Sequence, residues 1–222
     1  MSLRHAALGP EAKWLPGVIV FVSMLAVSVP VPAFAHSLSE LERQLTEREA
    51  YVEFVDRAAP DFALEDASGR AVRLQDLREK VVVLWFIYAS CPDVCPLQSE
   101  AIAAIQKMVN QTPMRDRVTF VSITTDPARD TSQVLKDYGP SHGLDPVNWL
   151  FLTSGENRPD ATRGLADRFG LKFTLTPDGE QMHGVVTHLI DKSGHIRARY
   201  HSLKFNKTSV LLYINALTND YH

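Results

Sequence analysis

A chain of 222 residues, 45% hydrophobic and 22% charged, has ordinary globular composition and room for one domain of about 160–170 residues plus N-terminal extras. Its formal net charge is −3, with no basic block and no aromatic-basic repeat, so nucleic-acid binding has no electrostatic support. Beyond the N-terminal stretch, no hydrophobic run is long enough to span a membrane.

That stretch opens with Arg4 and Lys13 against Glu11 and continues as an uncharged run, Leu15 to Val29, ending at Pro30-Val31-Pro32. Ala33-Phe34-Ala35 then offers a small-x-small site before His36. A short apolar core with this exit predicts a cleaved secretory signal over residues 1–35. The alternative is an uncleaved N-terminal anchor, which the prolines and the shortness of the run disfavour. Export would make a disulfide permissible, and the two cysteines are an even number.

Residues 36–57 read as a helical N-terminal segment. Leu38, Leu41 and Leu45 are spaced three and four apart, and Ser37 with Glu40 has the form of a capping box. The domain proper is expected over 58–222. Phe62 and Leu64, then Val72 and Leu74, flank the turn Asp66-Ala67-Ser68-Gly69 and predict a small N-terminal hairpin. Val81 to Ile87 is a continuous apolar run, the pattern of a fully buried strand, and a helix follows Pro96. Val118 to Ile123 reads as a second buried strand, after which Asp130 is placed to cap a helix through Tyr138. Trp149 to Leu152 is a short strand, and Pro159 to Phe169 a helix closed by Gly170. Thr176-Pro177-Asp178-Gly179 is a turn signal. His183 precedes the strand Val185 to Ile190, which the turn Asp191-Lys192-Ser193-Gly194 joins to His195–His201. Lys207 to Leu217 closes the domain as a helix. Strands alternating with helices early and a hairpin late predict an α/β domain with a mixed sheet and helices on both faces.

Both cysteines lie in Cys91-Pro92-Asp93-Val94-Cys95-Pro96, where the buried strand hands over to a helix. Pro96 lacks a backbone N–H and suits the first position of a helix, which makes Cys95 the expected N-cap. There the helix dipole would favour its thiolate. A structural disulfide is the plain reading of the pair, but so short a ring removes little unfolded-state entropy, and a domain of this size does not need the staple. Redox or metal chemistry is the stronger expectation. Two thiolates make a soft site for Cu(I) or Zn(II), and either would want a further ligand. His36, His142, His183, His188, His195, His201 and His222 remain in the exported chain, and spacing does not choose among them.

The run Phe86-Ile87-Tyr88-Ala89-Ser90-Cys91-Pro92-Asp93-Val94-Cys95-Pro96 resembles the Sco/SenC family of copper-binding thioredoxin-like proteins. Val121-Ser122-Ile123-Thr124-Thr125-Asp126-Pro127-Ala128-Arg129-Asp130-Thr131 looks like that family's Ser-x-Asp-Pro-x-Arg-Asp-Thr segment, and Trp149 to Gly155 is similar to its third stretch. The resemblance covers about residues 58–220 and implies a thioredoxin-like fold. In that family a histidine eight residues before the Asp of a Leu-Ile-Asp-x-x-Gly strand end completes a copper site. Here that aspartate is Asp191 and the histidine His183, so the implied ligands are Cys91, Cys95 and His183. The sequence departs from the family in having Met182-His183-Gly184 where Asp-His-Ser is frequent, and His188 where an aromatic is frequent. His188 is therefore the alternative ligand.

The implied function is a periplasmic copper-binding assembly factor that delivers copper to, or prepares, the binuclear copper site of cytochrome c oxidase. Its partners would be a copper ion and the copper-site subunit of a respiratory oxidase, with membrane attachment only through the N-terminal anchor. The alternative is a thiol–disulfide reductase, in which Cys91 or Cys95 attacks a partner disulfide, although the three-residue spacing differs from Cys-x-x-Cys. A peroxide-reducing reading, suggested by Ala59-Pro60-Asp61-Phe62, lacks a separate resolving cysteine. Asp93 is read as a favourable helix-start charge or a weak axial group, Asp126 and Arg129 as a local ion pair or a partner surface, and mature His36 as an extra copper site.

Overall fold

Seven consecutive apolar residues can all be buried only in a strand covered on both faces, and Val81–Ile87 is that strand. The computed structural model describes residues 37–175 and 181–219. The expected signal over 1–35, His36 and the turn 176–179 lie outside the described residues. Those described belong to one unit, Ala35–His222.

Ten strands and five helices are described: α1 Leu38–Thr46, β1 Val52–Ala58, β2 Ala63–Asp66, β3 Ala71–Arg73, β4 Val81–Ile87, α2 Val94–Asn110, β5 Val118–Thr124, α3 Ser132–Ser141, β6 Trp149–Thr153, α4 Ala161–Arg168, β7 Phe173–Leu175, β8 Gln181–His183, β9 Val186–Ile190, β10 His195–His201 and α5 Lys207–Thr218. Eight strands form one sheet in the order β1-β10-β9-β4-β5-β6-β2-β3, while β7 and β8 form a separate two-stranded arm. β4, β5 and β6 are parallel, and β9 runs antiparallel to β4. The sheet is mixed, as its sequence pattern predicts.

The alternation of β4 divides the interior. Val81, Val83, Trp85 and Ile87 enter one core with α1, α2, α3 and α5, whereas Val82, Leu84 and Phe86 enter another with α4 and the N-terminal hairpin. Helices therefore cover both faces. The hairpin is tied at its turn by Asp66, whose carboxylate accepts from the Ser68 and Arg70 backbone N–H groups. Gly69 there has φ +81°, a conformation that glycine takes without a side-chain penalty.

Three boundaries differ from the sequence reading. The helix expected over 36–57 stops at Thr46, and Val52–Ala58 instead forms the edge strand β1 against β10. Its half-buried residues sit among charged neighbours that face solvent, a pattern an edge strand carries. Asp130 does not cap α3: Thr131 does, accepting from the Val134 N–H. Finally α2 begins at Val94, with Asp93 in the cap position and making no side-chain cap bond. Pro96 is thus third in the helix, still inside the first turn where a missing N–H leaves no intrahelical bond broken.

Candidate metal and thiol site

β4 ends at Ile87 and β9 enters at Val186. Because the two strands are antiparallel, with Trp85 opposite Thr187, these ends share one rim of the sheet. The cysteine loop leaves β4 at that rim, and the β7–β8 arm feeds β9 at the same rim. β5 also ends there, with the Thr125 N–H donating to the Ile87 carbonyl at 2.7 Å.

Cys91 and Cys95 are both free thiols and both buried. Cys91 is 6% exposed and Cys95 0%, so Cys91 is the less deeply buried of the two. The turn between strand and helix is held by the Cys91 N–H donating to the Tyr88 carbonyl at 3.1 Å. The two sulfurs share a proton unequally. Cys91 Sγ accepts from the Cys95 thiol, from the Asp93 and Cys95 backbone N–H groups and from the Tyr88 side chain, and these bonds hold its pKa well below that of an ordinary thiol despite burial. Cys95 moves up, because it donates to Cys91 and because it is buried. The expectation that Cys95 would be the thiolate is therefore corrected. The N–H groups of the cap residue Asp93 and of Cys95 in the first turn of α2 donate to Cys91, so the positive end of the helix acts on the earlier cysteine.

Asp130 lies behind this loop. Its carboxylate accepts from the Ala89 N–H at 3.1 Å and from the Thr124 hydroxyl. Burial still raises its pKa, and its field reaches both Cys95 and Tyr138. Asp126 forms an ion pair with Arg129, the local arrangement considered from the sequence. Tyr138 shares a hydrogen bond of 2.9 Å with Ser99 on α2.

Among the described residues, no three His, Cys, Asp or Glu side chains come together as a metal site. His183 ends β8, in register with Phe173, and is described as backbone alone; the arm places it on the cysteine rim. His188 is on the wrong side. It shares a strand face with Val186 and Ile190 of the other core and packs edge-on to Phe169 at 5.1 Å between ring centres. Both of its ring nitrogens are buried without a partner, and burial lowers its pKa to about 3. His195 and His201 pair with Asp56 and Glu53 of β1 at the far edge, and His142 stacks on Tyr138.

One contributor escaped the sequence reading. Gln98 occupies the buried stripe Cys95, Gln98, Ile102, Ile105, Val109 of α2, and its amide nitrogen donates to Val186 O and Thr187 Oγ1, each at 3.2 Å. A glutamine at a core-facing helical position was the available signal, since a buried amide must find partners.

The donor chemistry suits a soft metal ion: two sulfurs, one already inclined to the thiolate form, with an imidazole on the neighbouring arm. Comparisons with known proteins accord with this. A family model described as SCO1/SenC matches residues 52–218. A SCO2-like protein of Rickettsia prowazekii is 26% identical over 189 residues, covering 82% of this chain and 88% of its own. A SCO1/SenC family lipoprotein structure from Bacillus anthracis is 26% identical with a TM-score of 0.66, covering 74% of this chain and 97% of that one. The Bradyrhizobium japonicum ScoI structure with copper bound is also 26% identical, with a TM-score of 0.59 and coverage of 75% and 100%. The architecture is accordingly thioredoxin-like.

Proposed function

The chain belongs to the SCO1/SenC family, and from that premise we propose that it is a copper-binding assembly factor holding one copper through Cys91, Cys95 and His183. The metal is cargo, passed to or used in preparing the binuclear copper site of a cytochrome c oxidase. The setting is the periplasm, reached through the N-terminal signal or anchor. The observation that carries this reading is the pair of adjacent, hydrogen-bonded thiols at the rim that also receives the β7–β8 arm. Copper displaces the thiol protons, since thiolate is the ligand form. Oxidation to a Cys91–Cys95 disulfide removes both sulfur donors, so loading depends on redox state.

The test is a copper titration of the reduced domain under anaerobic conditions. About one copper should bind, and Cys91→Ser or Cys95→Ser should each lower affinity by at least 10–100-fold. Prior oxidation should abolish binding. Unchanged affinity in either serine variant, or retention of zinc with no copper, overturns the assignment.

The unequal sharing of the proton also favours a second reading as a thiol–disulfide reductase. Cys91 thiolate would attack a partner disulfide, releasing one partner thiolate. Cys95, giving up its proton, would then displace the partner's second sulfur and leave a Cys91–Cys95 disulfide. His183→Ala separates the two, because disulfide exchange survives it and tight copper binding does not.

A further inference from the structure

Gln98 is 1% exposed and stands one helical turn beyond Cys95. Its amide uses its two hydrogens on one target, the entrance of β9: the carbonyl of Val186 and the hydroxyl of Thr187. The β4–β9 register ends at Trp85 opposite Thr187. Past that point β9 has left β4 while Val186 stays paired with His201 of β10, and on the β4 side the Gln98 side chain supplies the donor that the strand no longer does. Its neighbour Val185 is secured from the other side, where its carbonyl accepts from the Ser202 N–H at 2.9 Å. His183 is the third residue before Val186, at the end of the arm whose base is gripped in this way.

We propose that Gln98 is a positioning residue of the metal site, which locks the base of the β7–β8 arm to the helix carrying Cys95 and so sets where His183 is presented to the two thiols. The proposal rests on the reading of Cys91, Cys95 and His183 as copper ligands. Burying an amide on a core stripe is expensive unless it is satisfied, and an apolar side chain would fill the same space. An amide spent on the one backbone carbonyl at the root of the ligand arm acts as an orienting partner that holds a ligand from behind.

The experiment is a double-mutant cycle. Gln98→Met keeps an unbranched side chain of similar volume and removes the amide. The Gln98→Met, His183→Ala and double variants are titrated with Cu(I) against a competing chelator, in the reduced state. Gln98→Met should weaken binding roughly tenfold in the native background and have no further effect in the His183→Ala background. In the metal-free protein, the amides of residues 181–187 should exchange hydrogen faster while those of α2 beyond Ser99 keep their protection. An equal loss in both backgrounds, or native affinity in Gln98→Met, overturns the proposal. Unchanged affinity in His183→Ala removes the ligand reading itself, and the brace falls with it; that outcome is distinguishable because it does not involve Gln98. Should Gln98→Met fail to fold, Thr187→Val removes one of the two acceptors and carries the same cycle with a smaller shift.

Discussion

The two cysteines differ in how many donors reach each sulfur and in a few percent of exposure, and that difference assigns their chemistry. Cys91 collects the donors, which lower its pKa, and is the less deeply buried, while donation to Cys91 and burial raise that of Cys95. His188 is the opposite kind of residue: fully buried, with both ring nitrogens unpartnered and Arg199, Arg57 and His201 adding repulsion to its desolvation. Replacing it with phenylalanine should raise stability by roughly 1–2 kcal/mol at pH 7, since an unmet buried polar group costs about that much. Urea unfolding of the two proteins checks this. The sign of the pH effect follows from the lowered pKa. Below 6.5 the unfolded imidazole takes up a proton, and the folded one does so only near 3. Native stability should therefore fall as pH drops from 6.5 toward 3, by up to about 1.4 kcal/mol per unit from this group. His188→Phe should lack that slope. A slope identical in both proteins would mean that this imidazole is not the acid-sensitive group.

Among the elements, the buried central strands were the most legible. Val81–Ile87 announces burial on both faces by an uninterrupted apolar run, and Val118–Thr124 by apolar and β-branched residues. Helix starts were less so, because several residues in a row can serve as a cap. Asp130 has the right chemistry to cap α3 and was drawn instead into the β4–α2 loop, with Thr131 close by to take over. Pro96 marked the beginning of α2 within two residues, but its tolerance throughout the first turn hid which residue leads. The cysteine pair was legible from spacing and resemblance, whereas the sheet face of His188 depends on register, and Gln98 on a partner 88 residues away. At α3, Gly139 packs directly against the indole of Trp149, into which an added Cβ would project. Gly139→Ala should destabilise the domain by about 1–3 kcal/mol through overpacking, and Trp149→Leu in the same chain should recover part of the loss. Thermal unfolding of the single and double variants measures both.

For the whole molecule, α1 and β1 extend the structure beyond the segment the sequence marked as its core domain. Leu38 and Leu45 of α1 are buried in the same core as the cysteines, and the Tyr213 hydroxyl of α5 donates to Glu42. Deleting residues through Glu47 should therefore lower stability by about 3–6 kcal/mol, from two buried leucines at roughly 1.5–3 kcal/mol each. Glu49, which accepts from the Asn206 N–H at the start of α5, is left in place. A truncated chain with unchanged denaturation midpoint would show α1 to be a spacer and not part of the fold.

The antiparallel hairpin at the other edge of the sheet has a practical consequence. β2 runs against β6, with Glu65 opposite Thr153, so its turn at Asp66–Gly69 points away from the rim that carries the thiols. Ser68 is exposed there, and nothing lies within 4 Å of the position a side chain on Gly69 would take. A tether inserted between Ser68 and Gly69 would hold the molecule on a sensor surface with its cysteine rim facing solution, the orientation in which the acceptor proposed above can be offered to it and its arrival timed.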